Sequence, residues 1–310
     1  MNQKSVLITG GSGLIGKRLT SLLLEKGYSV RHLSRSGKRI PGVLSFKWDP
    51  EKGTIENGAL DGTEIIVHLA GANIGEKRWT KTRRMEIVDS RVRSAEFLYE
   101  KIIENKVNLK VFITASAVGY YGSATSDFIF KEYVSPGNDF LGYTCRMWEE
   151  AADLFSGIGI RTVKIRTGVV LDKNDSALSK MMMTARFGFL VRTGSGKQYL
   201  PWIHIDDLSN IYLKAIEDTE MSGAYNAVAP QHITHNEFIS ALGKVTNKFV
   251  FPVNVPSLIL WVALGEMSSV ILKGSRVSGE KIRNAGYEFV YPELEGAIQE
   301  IFGQALPGRN

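Results

Sequence analysis

Short apolar runs alternate with longer stretches of helical spacing through the first half of the chain. Ser5 to Thr9 is apolar and runs straight into glycines. Leu14 to Glu25 then sets Leu14, Ile15, Leu19, Leu22 and Leu23 on one side of a helix. Tyr28 to Leu33 and Val43 to Trp48 read as the second and third strands, the latter closed by Asp49-Pro50. Glu64 to Leu69 and Lys110 to Ser116 are nearly continuous in apolar character, as expected of strands buried on both faces. A long helix from about Thr80 to Glu104 separates them, and Phe140 to Phe155 (helix) and Arg161 to Arg166 (strand) follow. This alternation predicts an α/β fold, a doubly wound parallel Rossmann sheet with right-handed crossovers. Ligands of such sheets bind beyond the carboxyl ends of the strands, so the residues just after each strand carry the interest.

The second half is less regular. Ser176 to Phe187 has helical spacing and carries Met181, Met182 and Met183, which read as flexible core filling. Trp202 to Asp207 ends a strand and starts a helix, with Asp206 and Asp207 as cap and anchor. Short helices run from Phe251 to near Phe302. The expected division is a cofactor-binding domain over residues 1–175, with 200–228 returning to it, and a smaller substrate-side lobe from 176–199 and 229–310. The most apolar stretch, Ser257 to Leu272, is broken by Gly265, Glu266, Ser268 and Ser269 and is too short to span a bilayer. A packed helix pair is the expectation there, with a membrane-surface or dimer contact as the alternative.

The first turn reads Thr9-Gly10-Gly11-Ser12-Gly13-Leu14-Ile15-Gly16. It follows a predicted strand and opens a predicted helix, which is the context that gives Gly10, Gly13 and Gly16 meaning. The first glycine permits the tight turn, the second lets the backbone approach a pyrophosphate, and the third lets helix and strand pack closely. The helix start at Leu14 and Ile15 offers free N–H groups and a partial positive charge to the phosphates. Where an NAD site usually places Asp or Glu, the second strand ends Leu33-Ser34-Arg35. A carboxylate would repel a 2′-phosphate, whereas Ser34 and Arg35 would hold one, assisted by Lys38 and Arg39. NADP is therefore the expected cofactor, with NAD as the alternative.

Charge adds to this picture. The 310 residues carry a net charge of +6, which favours an anionic partner. Basic residues gather at Lys77, Arg78, Lys81, Arg83 and Arg84, but no nucleic-acid-binding motif accompanies them. A phosphorylated cofactor is a sufficient anion, and neither nucleic acid nor membrane is expected as a partner. Cys145 is the single cysteine, so no internal disulfide or cysteine metal cluster can form; this points to a reducing, cytoplasmic setting. The N-terminus lacks the apolar region of a signal peptide, and the five histidines form no convincing metal set.

With these residues the chain resembles an extended, atypical short-chain dehydrogenase/reductase, and more closely the epimerase-like family that includes the bacterial YfcH protein. The resemblance spans nearly the whole chain. Its marks are Thr9 to Gly16, His68-Leu69-Ala70-Gly71-Ala72, Ser116 to Gly122, Trp148-Glu149, Arg166 to Leu171, Trp202 to Asp207, and a C-terminal extension with Leu264-Gly265-Glu266 and Gly286-Tyr287. It implies that Leu69, Ala70 and Gly71 line the cofactor and that Asp49 sits near the adenine. It also implies a Ser or Thr that polarises the substrate oxygen and a YxxxK Tyr that moves the proton, as hydride chemistry at carbon requires.

The sequence departs from that pattern twice. Counting back from Tyr121, the usual hydroxyl position falls on Ala117, and Ser116 is one residue early, on the opposite strand face unless the chain curls. The Tyr motif reads Tyr143-Thr144-Cys145-Arg146-Met147, with Met in the Lys position and Arg146 as the nearest cation on the same helical face. The candidate catalytic set is Ser116, Tyr143 and Arg146, with Tyr121 or Tyr120 as alternatives to Tyr143. Cys145 reads as a small buried residue and His204 as a packing or hydrogen-bonding one. The expected function is an NADP-dependent oxidoreductase or epimerase acting on a hydroxyl or keto group of a small polar, nucleotide-sugar-like substrate. The alternative is an NADPH-binding regulatory protein with a degenerate site. Trp79 to Tyr99 is a candidate homodimer face.

Overall fold

The computed structural model describes residues 4–35, 40–174, 177–182 and 184–303. Lys38, Arg39, Ser176 and Met183 lie outside the described residues. Strand β1 (Ser5–Thr9) passes through the glycine turn into α1 (Leu14–Glu25), and β2 (Ser29–Ser34) returns beside it. Next come β3 (Val43–Asp49), β4 (Thr54–Ile55) and β5 (Ile65–His68), then the long α2 (Lys81–Glu104) and β6 (Val111–Ala117). A 3-10 turn (Val118–Tyr121), β7 (Ile129–Phe130), α3 (Phe140–Gly157), β8 (Arg161–Thr167) and β9 (Val169–Leu171) follow. The later chain holds α4 (Ala177–Met181), β10 (Phe189–Leu190), β11 (Trp202–His204), α5 (Ile205–Glu217), β12 (Gly223–Ala227) and α6 (His235–Thr246). It ends with β13 (Phe249–Val250), α7 (Ser257–Leu264), α8 (Ser269–Leu272), β14 (Arg276–Val277), α9 (Glu280–Asn284) and α10 (Leu294–Phe302).

Eight strands form one sheet in the order β12-β8-β6-β5-β1-β2-β3-β4. All its pairings are parallel except β3 with β4. Both faces are covered, which is why the strands read as continuous apolar runs. Successive side chains alternate between two cores. Val6, Ile8, Val111 and Ile113 pack with Leu19 and Leu23 of α1 and Leu208 and Tyr212 of α5. Leu7, Ile66 and Phe112 pack on the other face with Leu98 and Ile102 of α2 and Ala152 and Phe155 of α3. The Phe112 and Phe155 rings stack there, 3.7 Å apart. A third core joins Leu190, Trp202, Phe238, Leu242 and Ile298.

Three expectations are corrected. Within the Ser176 to Phe187 stretch the described residues form two short pieces in place of one helix: an α-helix over Ala177–Met181, and a 3-10 turn over Thr184–Phe187 in which Ala185 N–H bonds the Met182 carbonyl. The α5 cap is His204, whose ring accepts the Asp206 N–H at 3.2 Å, and not an aspartate. Asp207 is the expected anchor: fully buried, it accepts from the Tyr287 hydroxyl (2.7 Å), Val290 N–H (2.8 Å) and Tyr291 N–H (2.9 Å). Ser257 to Leu272 forms short helices but not a packed pair. No residue of α7 is buried, and Leu258 is 69% and Trp261 58% exposed. With apolar residues all round, α7 has no single face to turn inward, and Gly265 ends it after eight residues. Among the described residues no helix is long and apolar enough to cross a membrane.

Candidate functional site

The sheet order reverses at β1, which has β2 on one side and β5 on the other. The crevice outside the carboxyl ends of these strands is where such sheets take ligands. Two glycines make it. Gly10 has φ +68°, and a Cβ there would lie 2.8 Å from the Leu69 carbonyl carbon and oxygen. A Cβ on Gly16 would lie 2.5 Å from the Gly10 oxygen. Turn, helix and β5 loop can close together only without side chains at these positions. Helix α1 then begins at Leu14 with Gly13 at its cap and, among the described residues, no side-chain cap on its first N–H groups. Free N–H groups, the positive end of a helix dipole and a backbone stripped of side chains fit the pyrophosphate of a dinucleotide.

Sequence spacing singled out Gly10, Gly13 and Gly16 but missed Gly11. A Cβ on Gly11 would fall 2.3 Å from the His32 ring. That imidazole lies buried beneath the turn, 2.9 Å from Thr20 Oγ1. Thr20 gives its proton to the Gly16 carbonyl (2.6 Å), so His32 Nε2–H is the donor between them. On the other side of β1, Thr9 Oγ1 accepts the Leu69 and Ala70 N–H groups, each at 3.1 Å. Its own proton therefore goes to His68 Nδ1 at 2.9 Å. His68 Nε2–H in turn reaches Ser94 Oγ on α2 at 3.1 Å. Burial drives the pKa of both His32 and His68 down to about 4, so both rings are neutral struts of the crevice floor.

Ser34 closes β2, and Arg35 follows it, exposed. The Glu86 carboxyl on α2 is held below its ordinary range by a hydrogen bond from Arg83 first, and also by the charges of Lys77 and Arg35. The basic residues of two separate stretches thus act on one carboxylate. Asp49 ends β3 and spends its Oδ1 on the Glu51 and Lys52 N–H groups of the next turn, at 3.2 and 3.3 Å. Ala72 N–H is held by Ser90 Oγ at 2.9 Å, and Gly71 lies against the Arg91 side chain.

The candidate catalytic residues separate into two groups. β6 runs on without curling: Ala117 is extended and stays in register with Thr167. Ser116 therefore keeps to the α3 side, 3% exposed, and donates to Glu149 Oε1 at 2.7 Å. Glu149 is clamped by Arg166 through two bonds of 2.8 Å. Arg166 also donates to the Tyr121 hydroxyl (3.0 Å), which donates to Asn226 Oδ1 (2.7 Å), whose amide donates to the Ser278 carbonyl (3.0 Å). Tyr120 lies under the Arg166 guanidinium, 3.4 Å from its ring centre. Ser116 and Tyr121 are thus brought together in one buried network. Burial also pushes the Tyr121 phenol up to about 12. Tyr143, in contrast, is 47% exposed on the first turn of α3. The Arg146 guanidinium stands 5.5 Å from its ring while pairing with Glu150 at 2.9 Å. Cys145 is buried, and desolvation pushes its thiol up to about 12. His204 bridges the Asp206 N–H and Glu300, 3.0 Å away.

A parallel sheet reversing at a glycine-rich turn, with an uncapped helix start aimed into the crevice, defines a dinucleotide-binding Rossmann protein. The sequence profile of the NAD dependent epimerase/dehydratase family matches residues 6–228, and this chain belongs to that family. A domain of unknown function, DUF1731, matches residues 255–301. Epimerase family protein SDR39U1 of Homo sapiens is 33% identical over 302 residues, spanning 96% of this chain and 99% of that protein. YfhF of Bacillus subtilis, also described as an epimerase family protein, is 31% identical over 299 residues, spanning 96% and 97%. The crystal structure of human SDR39U1 isoform 2 with NADPH superposes with a TM-score of 0.84 at 30% identity, covering 97% of this chain and 100% of that one.

Proposed function

We propose that this protein binds NADP(H) and is a reductase or epimerase acting on a hydroxyl or keto group of a small polar substrate, with nucleotide-linked sugars as the favoured class. The observation that carries the reading is the side-chain-free crevice at Gly10 and Gly16, flanked by a β2 end that offers Ser34 and Arg35 where NAD sites place an acid. The human relative with NADPH supports the same cofactor. In this reading Gly10, Gly13, Leu14, Ile15 and Gly16 receive the pyrophosphate, and Ser34 and Arg35 hold the 2′-phosphate. Leu69, Ala70 and Gly71 form the opposite wall, and Asp49 borders the adenine. The nicotinamide, when bound, supplies hydride exchange at carbon. Tyr143 is the proton carrier in this proposal, because its hydroxyl is free of the buried network that holds Ser116 and Tyr121. Arg146 supplies the nearby positive charge. The lobe made of residues 176–199 and 229–310 takes the substrate side.

A second reading, an NADPH-binding regulatory protein, is favoured by one observation: Met147 occupies the Lys position while Ser116 is committed to Glu149. Calorimetry with NADPH and NADH tests the cofactor shared by both readings. The wild type should prefer NADPH. Arg35→Ala should weaken NADPH about 10- to 100-fold, the worth of charge-assisted phosphate bonds, and leave NADH nearly unchanged. Failure of both nucleotides to bind the wild type overturns both readings. Gly10→Ala should weaken NADPH and NADH alike by at least about tenfold. It forces an L side chain to positive φ and displaces the β5 loop backbone. A substrate screen following NADPH absorbance then separates enzyme from sensor.

A further inference from the structure

Arg91 lies on α2 and is only 9% exposed. One of its terminal nitrogens donates to the Ile87 carbonyl at 2.8 Å, and its Cζ stands 4.9 Å from the Trp148 ring centre. The other well-buried arginines near the crevice have carboxylate partners. Arg83 pairs with Glu76 and Glu86, and Arg166 with Glu149. Among the described residues Arg91 pairs with none. Burial lowers its pKa to about 10, the mark of a cation whose desolvation is not offset by an anion. Retaining such a charge is costly unless a ligand supplies the counter-charge.

Its position says which ligand. The Gly71 backbone lies against the guanidinium: a Cβ on Gly71 would come within 3.1 Å of Arg91 Cζ and 3.3 Å of Nη1. Gly71 follows directly on Leu69 and Ala70, the segment that Gly10 touches and Thr9 fastens. Arg91 therefore backs the Leu69–Gly71 segment, whose other end lies against Gly10 of the glycine turn. We propose that Arg91 is a phosphate-binding residue that meets the pyrophosphate of the dinucleotide at the Gly71 wall of the crevice. Gly at position 71 has a matching reason, since any side chain would press on the guanidinium. This inference rests on the cofactor reading above.

The test is the calorimetric affinity of wild type, Arg91→Met and Arg91→Gln for NADPH, NADH and adenosine 2′-monophosphate, which carries the 2′-phosphate but neither phosphate of the pyrophosphate. Both variants should bind NADPH and NADH about 10- to 100-fold more weakly, by the same factor for each. Adenosine 2′-monophosphate should be held within about twofold of wild type. Arg35→Ala should give the opposite pattern. Arg91→Gln keeps a donor for the Ile87 carbonyl, so it remains a test if the Met variant fails to fold. If the wild type binds NADPH and either folded variant binds it equally well, Arg91 serves another anion, such as a substrate phosphate, or Trp148 alone, and the inference is overturned. A variant that loses adenosine 2′-monophosphate as strongly as NADPH overturns it too. If the wild type binds no dinucleotide, the failure lies with the cofactor reading.

Discussion

Stability should fall steeply as the pH drops from 6.5 towards 4. His32, His68 and His235 are buried, and desolvation lowers each pKa from 6.5 to about 4. Between those values the unfolded chain binds protons that the folded chain refuses. Unfolding is therefore favoured by acid, and the stability is fully present above pH 6.5 and lost as the pH approaches 4. Each histidine contributes roughly 3 kcal/mol over that window, so together they amount to about 10 kcal/mol, comparable to the whole stability of an ordinary domain. Between pH 5 and 6 the slope should be about 4 kcal/mol per pH unit, before most carboxylates titrate. His235 faces Thr193 Oγ1 at 3.2 Å through Nε2, while its Nδ1 has no partner among the described residues. His235→Gln should cut the slope by about a third, to roughly 3 kcal/mol per pH unit. Urea unfolding at a series of pH values measures it, and a stability that stays flat from pH 7 to 5 contradicts the account. Two of these histidines brace the cofactor crevice, His32 beneath Gly11 and His68 behind Thr9, so acid loosens the candidate site along with the core.

How much of this was readable in the chain depends on how local each feature is. The central strands announced themselves because both sheet faces are covered, so Val6, Leu7 and Ile8 are all apolar though they enter different cores. The glycine turn was legible for a different reason: Gly10 and Gly16 answer to backbone of the turn itself or of the adjacent strand end. Gly11 was not, because its constraint is the imidazole of His32, whose ring position depends on α1 and β2 together. Strand parity had already placed Ser116 on the face opposite the usual hydroxyl, and a straight β6 carries that parity through Ala117. Its partners Glu149 and Arg166 could not be read off, since nothing local links the three positions. α7 shows the converse limit. Its composition spoke for burial, but composition cannot say whether another element arrives to cover it.

Glu149→Gln should destabilise the protein by about 3–5 kcal/mol, because it leaves the Arg166 guanidinium buried without its carboxylate. The loss should appear as a lower urea midpoint with an unchanged slope. Arg166→Met should cost a similar amount by stranding Glu149, and it also removes the donor to the Tyr121 hydroxyl. Replacing both, as Glu149→Leu with Arg166→Met, should recover much of the loss, since a buried ion pair often gives no net gain over apolar residues of similar volume. A double variant as unstable as the sum of the singles would mean that the pair holds the fold by more than mutual neutralisation. The geometry says where such an excess would come from. Through Tyr121, Asn226 and Ser278 the pair ties the turn after β6 to β12 and to the segment leading into α9. None of these groups touches Gly10, Gly13 or Gly16. Dinucleotide affinity of the folded single variants should therefore stay within about twofold of wild type. A tenfold loss of affinity at unchanged stability would move Ser116, Glu149 and Arg166 out of the scaffold and into the binding site.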